Sequence, residues 1–375
     1  MKKILFFIES LSGGGAEKVL AELVNRFNKN KFDITVITVV DVGIYRNEIK
    51  KNCKYISILP NPEKLKTMKL LIYKLRYKLI YLLPPSFFYK FFIKEKYDLE
   101  VAFVEGFATK IISKSTNTLS KKVAWVHVDP INRGYADRYF RNLRDQIESY
   151  KKYDKVVCVS KKVKNSFEEK VYKDKKVIVK YNPVDSKAII YKSNEKCERT
   201  KPDKFLIGTI GRLTRQKGYD RLLKIMKILK DDGLNCELWV LGEGQDRPRL
   251  EQYINDNNLS DSVKLIGFKS NPYKYIAMCD LFVCSSRAEG FSLALAEAMV
   301  LGLPTISTEC AGPNELLNSG EYGMVVKNND LSLYEGIKTL INDKALLARY
   351  KAKSLERSNI FTISTAIKDI EKVFN

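Results

Sequence analysis

Apolar positions occur along this chain in two series of short, unbroken runs. The first series opens with "ILFFI" (4–8), then a glycine loop "SLSGGGAE" (10–17), an amphipathic stretch from Ala16 to about Phe27, and a second run "DITVITVV" (33–40). Continuous apolar runs of this length predict strands buried on both faces, and the strand–helix–strand order predicts a parallel pair. Further runs follow: "LEVAFVEG" (99–106), "KVAWVHVD" (122–129), "KVVCVS" (155–160) and "KVIVKYNPVD" (176–185). The pattern then turns polar over 186–204, which predicts a linker. A second series begins after it, with "FLIGTIGRL" (205–213), a helix from Tyr219 to about Leu229, "CELWVLGEG" (236–244), "VKLIGF" (263–268), "LFVCSS" (281–286) and "PTISTE" (304–309). Two doubly wound α/β domains, each with a parallel sheet, account for both series, with the ligand site expected in the cleft between them, beyond the carboxyl ends of the strands.

One segment departs from this pattern. In "KLKTMKLLIYKLRYKLIYLLPPSFFYKFFIKEK" (64–96), Leu65, Met68, Ile72, Leu75, Leu79 and Leu82 recur at helical spacing, flanked by Lys64, Lys66, Lys69, Lys74, Arg76 and Lys78. Such a stretch is either an amphipathic helix lying on an anionic membrane surface or a core helix with a charged rim.

With 375 residues, 45% of them apolar, the chain is long enough to build a core in each of two domains. Lys and Arg number 66 against 44 Asp and Glu, a formal charge of +22 that favours anionic partners without choosing among nucleic acid, phosphorylated substrate and membrane. Seven cysteines contain no CxxC pair, and a single histidine cannot complete a zinc site, so reduced thiols in a cytoplasmic protein are expected. The apolar run after Met1 is too short for a signal peptide, and no run reaches the ~18 residues of a membrane span.

The chemistry concentrates in the second series. "GRLTRQKG" (211–218) follows a predicted strand directly and sets Arg212 and Lys217 at its carboxyl end. Two cations there would clamp a diphosphate; the alternative is a solvated basic turn. "RAEGFSLALAEAM" (287–299) places Glu289 and Gly290 before an apolar helix and Glu297 within it. The unsatisfied N–H groups of Phe291, Ser292 and Leu293 would seat phosphate. Eight residues at 100° bring Glu297 back to within about 80° of Glu289 on a continuous helix, so both carboxylates could accept sugar or ribose hydroxyls. The alternative for this pair is compensation of the helix dipole by Glu289 and an exposed face for Glu297. In the first series, Gly14 and Gly15 would admit a ligand at a helix N-terminus or form only a tight turn. The loop is neither GxGxxG nor a P-loop, which weakens nicotinamide and ATP readings. His127 ends a predicted strand and is either packed or catalytic. No DxD pair occurs, so metal-held diphosphate is not expected and the cations would do that work.

Taken together, "GGGAE", "GRLTRQKG" and the E-x7-E pair Glu289–Glu297 resemble the retaining glycosyltransferases of family 4, with the two-Rossmann GT-B fold, over nearly the whole chain. The resemblance implies an acceptor-side domain over 1–190, a donor-binding domain over 191–356 and a terminal helix over 357–375 that crosses back to the first domain. It implies that Arg212 and Lys217 bind the donor diphosphate, Glu297 the ribose and Glu289 the transferred sugar. The backbone of Phe291 to Leu293 would complete the phosphate seat, His127 would lie by the reacting carbon, and "LGEG" and "GF", with Phe268, would lie near the base. "NPVD" (182–185) departs from the family's usual N-G-V-D. The implied activity moves a hexosyl unit from a nucleoside diphosphate sugar, UDP-hexose or UDP-N-acetylhexosamine, to a hydroxyl of a polyprenyl-diphosphate-linked saccharide. No metal or other cofactor is needed, and the enzyme would sit on the inner face of the plasma membrane to build cell-surface polysaccharide. A sugar-nucleotide epimerase of the same fold and a basic nucleic-acid-binding protein are the alternatives, although no nucleic-acid motif is visible.

Overall fold

The computed structural model describes residues 1–131, 134–361 and 363–374. The chain divides into two units, Met1–Pro183 with the chain from Thr365 on, and Val184–Ser364. In the first unit the apolar runs become β1 (Lys2–Ile8), β2 (Phe32–Val40), β4 (Leu99–Ala102), β5 (Lys121–Val126), β6 (Lys155–Cys158) and β7 (Val177–Val179), and a strand that no run predicted, β3 (Lys54–Leu59), precedes β4. They form one sheet in the order β3-β2-β1-β4-β5-β6-β7, and every pairing is parallel. The amphipathic stretch after β1 forms α1 (Gly15–Arg26), which buries Val19, Leu20, Leu23 and Val24. Between β3 and β4 lie α2 (Thr67–Leu82) and α3 (Pro85–Phe92).

The second unit begins at Val184, just ahead of the expected linker, whose first residues are helical. Asp185 caps α4 (Ser186–Ser193), its carboxylate accepting from the Ala188 N–H at 3.0 Å, and Ile189 enters the core. A polar composition concealed this element because one buried apolar side chain and one cap suffice to hold eight residues of helix. Then come β8 (Phe205–Ile210), α5 (Tyr219–Asp231), β9 (Cys236–Leu241), β10 (Val263–Gly267), β11 (Leu281–Cys284), α6 (Leu293–Val300), β12 (Thr305–Thr308) and β13 (Met324–Val326). The sheet order is β10-β9-β8-β11-β12-β13, again all parallel. Alternation along the strands explains their unbroken apolar runs. Ile207, Leu238, Val283 and Ile306 pack with α5 on one face, whereas Leu206, Trp239 and Phe282 pack with α6 on the other.

The chain closes with α7 (Ile363–Phe374), whose final ring belongs to the core of the first unit. Phe374 meets Phe27 at 5.4 Å, Phe6 at 5.9 Å and Phe32 at 6.3 Å in edge-on geometry, and Lys180 pairs with Asp369 at 2.7 Å.

Candidate functional site

Where strand order reverses in a parallel sheet, the loops leaving the two neighbouring strands diverge and leave room for a ligand. In the second sheet that place lies between β8 and β11. The loop after β8 is "GRLTRQKG" and the loop after β11 is "SSRAEG", so topology brings together two motifs about 70 residues apart in sequence. A dense set of bonds joins them. Gln216 Nε2 donates to the Ala288 carbonyl at 2.7 Å, the Arg287 N–H donates to the Gln216 carbonyl at 2.7 Å, and Ser285 Oγ donates to the Lys217 carbonyl at 2.8 Å. Gly218 is required at this junction. Its φ is +70°, and a Cβ there would stand 2.0 Å from the Ser285 carbonyl oxygen.

At the centre, Lys217 Nζ forms an ion pair with Glu289 Oε1, which also accepts from Ser286 Oγ at 2.8 Å. Burial alone would lower the Lys217 pKa, but the negative charge and hydrogen bond of Glu289, with Cys284 nearby, raise it above the usual lysine value. Lys217 is therefore a fixed cation. The pair sits beside a small polar pocket lined by Thr209, Tyr219, Cys284, Ser286 and Ser292, and the Tyr219 side chain is buried there. Arg212 is exposed, its charge is felt at Lys217, and it has no ion-pair partner among the described residues. A guanidinium open to solvent beside a fixed ammonium leaves positive charge available to an anion.

The second carboxylate of the expected pair is placed differently from the helical argument. Helix α6 starts at Leu293 with Ser292 as its N-cap, so Glu289 lies in the preceding loop and Glu297 only about one turn along. The 100° periodicity therefore does not relate the two. Nor does Glu297 occupy an exposed face: it is 5% accessible. Ser292 makes no side-chain cap, and no proline intervenes, so the amides of the first turn of α6 keep no partner from a cap side chain. Gly290 is buried, and its carbonyl lies 2.5 Å from where a Cβ on Gly312 would stand. The absence of that Cβ, with the Gly312 N–H donating to the Glu289 carbonyl at 3.1 Å, holds the loop in place.

The remaining expected residues are spread more widely. Gly14 is the N-cap of α1, and a Cβ on it would meet the Glu17 carboxylate at 2.3 Å. Glu17, in the first turn, thus folds back over the end of the helix where a ligand was expected. The left-handed glycine of the loop is Gly13, with φ +96°, whereas Gly15 is exposed. His127 follows β5. Its Nε2 lies 2.9 Å from the Phe103 carbonyl, which can only accept, so Nε2 carries the proton and Nδ1 is the ring's acceptor. Its backbone N–H donates to Glu105 at 3.2 Å, and burial pushes its pKa down to about 4. Phe268 stands beyond β10, two strands out from β8, and is about half exposed (48%).

Sequence reasoning missed the groups that brace the centre. Arg287 makes paired bonds to Asp220 at 2.7 and 2.9 Å and also donates to the Arg215 carbonyl at 2.7 Å. Burial would raise the Asp220 pKa, but this pairing holds it below the usual carboxylate value. Asn328 Nδ2 donates to the carbonyls of Arg287 at 3.1 Å and Glu309 at 3.3 Å. "RQKGYD" and "SSRAEG" contained Arg215, Asp220 and Arg287, but only the strand order revealed that the two segments face each other.

Comparison with known proteins gives this geometry a family. Residues 13–188 match the family described as Glycosyltransferase Family 4, and residues 192–357 match Glycosyl transferases group 1. The chain is 30% identical over 371 residues to the N-acetylgalactosamine-N,N'-diacetylbacillosaminyl-diphospho-undecaprenol 4-alpha-N-acetylgalactosaminyltransferase of Campylobacter jejuni, covering 96% of each chain. It is 28% identical over 190 residues to the capsular polysaccharide biosynthesis glycosyltransferase CapM of Staphylococcus aureus, covering 49% of each. Among solved structures, Anabaena HepE in complex with UDP and glucose superposes with a TM-score of 0.77 at 19% identity, covering 100% of this chain and 99% of that one. The fold is GT-B, and the chain belongs to glycosyltransferase family 4.

Proposed function

We propose that the protein is a retaining, metal-independent hexosyltransferase. It moves a sugar from a nucleoside diphosphate donor, UDP-hexose or UDP-N-acetylhexosamine, to a hydroxyl of a lipid-linked saccharide in cell-surface polysaccharide synthesis. The observation that carries this reading is the Lys217–Glu289 pair at the strand-order reversal of the second sheet, with Arg212 open beside it. In this reading Lys217 and Arg212, with the backbone amides of Phe291 to Leu293 at the entry to α6, next to Gly290, bind the diphosphate. Glu289 accepts from the transferred sugar and Glu297 from the ribose. Gly14 and Gly15 approach the donor, His127 lies by the reacting carbon, and Phe268 lies toward the base.

The bond between the anomeric carbon and the β-phosphate oxygen breaks with its electron pair going to the phosphate. The acceptor hydroxyl forms the new bond on the same face and passes its proton to the departing phosphate. Cations and amide dipoles aimed at that oxygen stabilise the charge that develops there. UDP in the HepE complex supports the choice of base. The name of the Campylobacter relative, a diphospho-undecaprenol-linked acceptor and an α-linkage, supports a lipid-linked acceptor and retention from an α-configured donor. Such an acceptor puts the enzyme on the inner face of the plasma membrane, held peripherally through residues 64–96.

The test is a thermal-shift panel of UDP, GDP and ADP, followed by the corresponding sugar nucleotides with a polyprenyl-diphosphate saccharide. The expected result is stabilisation by UDP and an α-linked product that requires the acceptor. Donor converted without acceptor would reveal an epimerase, and indifference to all three nucleotides would overturn the reading.

A further inference from the structure

The segment between β3 and β4 does not behave as a core helix. Of sixteen residues in α2 only Ile80 is buried. Met68 (68% accessible), Leu71 (64%), Leu75 (59%) and Leu82 (77%), together with Ile72 and Leu79, remain in solvent. At roughly 100° per residue these six fall within an arc of about 100°. Tyr73, Tyr77, Ile80 and Tyr81 occupy the opposite side, where the tyrosines form a ladder with centroid spacings of 6.1 and 4.9 Å and Tyr81 packs on Phe107 at 4.5 Å. The helix is therefore seated on its own unit by its aromatic face and turns its apolar stripe outward.

Cations line both edges of that stripe, Lys69 and Arg76 on one side and Lys74 and Lys78 on the other. None of the four has an ion-pair partner among the described residues. From Lys64 to Lys94 the chain holds eight Lys and Arg and no Asp or Glu. Helix α3 continues the face: Phe88 and Tyr89 are buried, whereas Phe87 and Phe91 are exposed. Among the described residues, no helix is long and apolar enough to cross a membrane.

We infer that α2 and α3 form an in-plane membrane-docking element. Met68, Leu71, Ile72, Leu75, Leu79 and Leu82 enter the acyl boundary of an anionic bilayer, Phe87 and Phe91 follow, and the flanking cations meet lipid phosphates. A second copy of the chain does not suit this face, because an isologous contact would set eight cations against eight with no acid to pair them. The inference extends the proposed lipid-linked acceptor by assigning the side chains that bring the enzyme to it.

Flotation of the full chain with phosphatidylglycerol-rich and with pure phosphatidylcholine vesicles tests it. The wild-type protein should float with the anionic vesicles at low salt and much less at high salt. Leu71→Glu/Leu75→Glu/Leu79→Glu changes only exposed positions and should reduce the bound fraction ~10-fold or more, since each charge opposes burial in the acyl boundary. The same variant should keep its UDP-induced thermal shift and its transfer to a water-soluble, short-chain acceptor. Replacing Lys69, Lys74, Arg76 and Lys78 by Gln should remove the preference for anionic lipid. Undiminished flotation of the Glu variant, or indifference of the wild type to lipid charge, overturns the inference. So does a lipid-free dimer that the Glu variant dissociates. Flotation without transfer to any acceptor would sink the enzymatic reading and leave the docking element standing; transfer to the soluble acceptor without flotation would do the reverse.

Discussion

Both sheets reverse their strand order at corresponding places, between β1 and β4 in the first and between β8 and β11 in the second, yet the loops there are built on different principles. In the second sheet charge is paired inside the protein. Lys217 meets Glu289, Arg287 meets Asp220, and backbone bonds join the two loops at several points. In the first sheet Glu9 and His127 directly follow β1 and β5, Glu105 lies near the end of β4, and loss of solvation is the largest influence on Glu9 and His127. It raises the Glu9 pKa against the opposing effects of Tyr139 and Arg138, and it lowers that of His127. A loop pair cross-linked by charge is preorganised for a multiply charged ligand, because little reorganisation is left to do when that ligand arrives. A site where burial disfavours charge on a carboxyl and on an imidazole suits hydroxyls and rings instead.

The sharpest way to break this contrast is to remove the cation from the second sheet. Lys217→Ala should lower turnover ~100-fold or more, as loss of one preorganised donor to a developing oxyanion does, and should abolish stabilisation by UDP. It also leaves Glu289 buried without its partner, so unfolding measurements should show a loss of stability. Lys217→Met combined with Glu289→Gln removes both charges and should regain stability without regaining turnover. That split separates a role at the site from a role in the fold. A fall in turnover under about threefold for Lys217→Ala would count against the assignment.

Next in size is the junction itself. Gly218→Ala forces a Cβ against the Ser285 carbonyl at a left-handed φ, and should cost about 1–3 kcal/mol of stability by urea unfolding. The same change should weaken the response to UDP, because Lys217 and Glu289 ride on the two loops it pushes apart. An unchanged midpoint and an unchanged UDP shift would mean that the loops are less interdependent than their bonds indicate.

How much of this was legible in the sequence depends on which physical signal each element carries. Strands buried on both faces announce themselves as unbroken apolar runs, so β1, β2, β5, β8 and β9 were readable from composition alone. Strand β13 is three residues long and only partly buried, and α4 hides in a polar stretch, so neither has a pattern to read. Lys217 and Glu289 were legible as residue types at plausible ends of strands. The bracing pair Arg287–Asp220 was not, because it depends on β8 and β11 being neighbours, which periodicity does not reveal. The helical relation between Glu289 and Glu297 failed for a related reason: spacing was counted through residues that belong to a loop. For residues 64–96 the pattern gave the apolar stripe but not its direction, since an inward and an outward stripe have the same period.

A smaller effect is expected at the edge of the second sheet. Phe268 is half exposed and two strands from β8, so Phe268→Ala should weaken UDP binding about twofold, matching the ~0.5 kcal/mol that a partly solvated ring contact contributes. A tenfold loss by calorimetry would instead place the base firmly against this ring and extend the preorganised region beyond the two loops.

The least change is expected at His127, and it tests the other half of the comparison. The chain has one histidine, so its imidazole gives a single set of ring resonances. With a folded pKa of about 4 against an ordinary value near 6.5, the ring should stay neutral from pH 8 down to pH 5, and the rate profile should show no inflection from it there. The sign for stability follows from the same numbers. Between about pH 6.5 and pH 4 the unfolded chain binds a proton that the folded chain refuses, so His127 makes the protein less stable as pH falls through that window and has no effect above it. His127→Gln should flatten that slope and leave stability at pH 8 nearly unchanged. An imidazole that titrates near 6.5 would mean that solvent reaches the ring, and the first sheet's site would then be charged in the same sense as the second rather than kept neutral by burial.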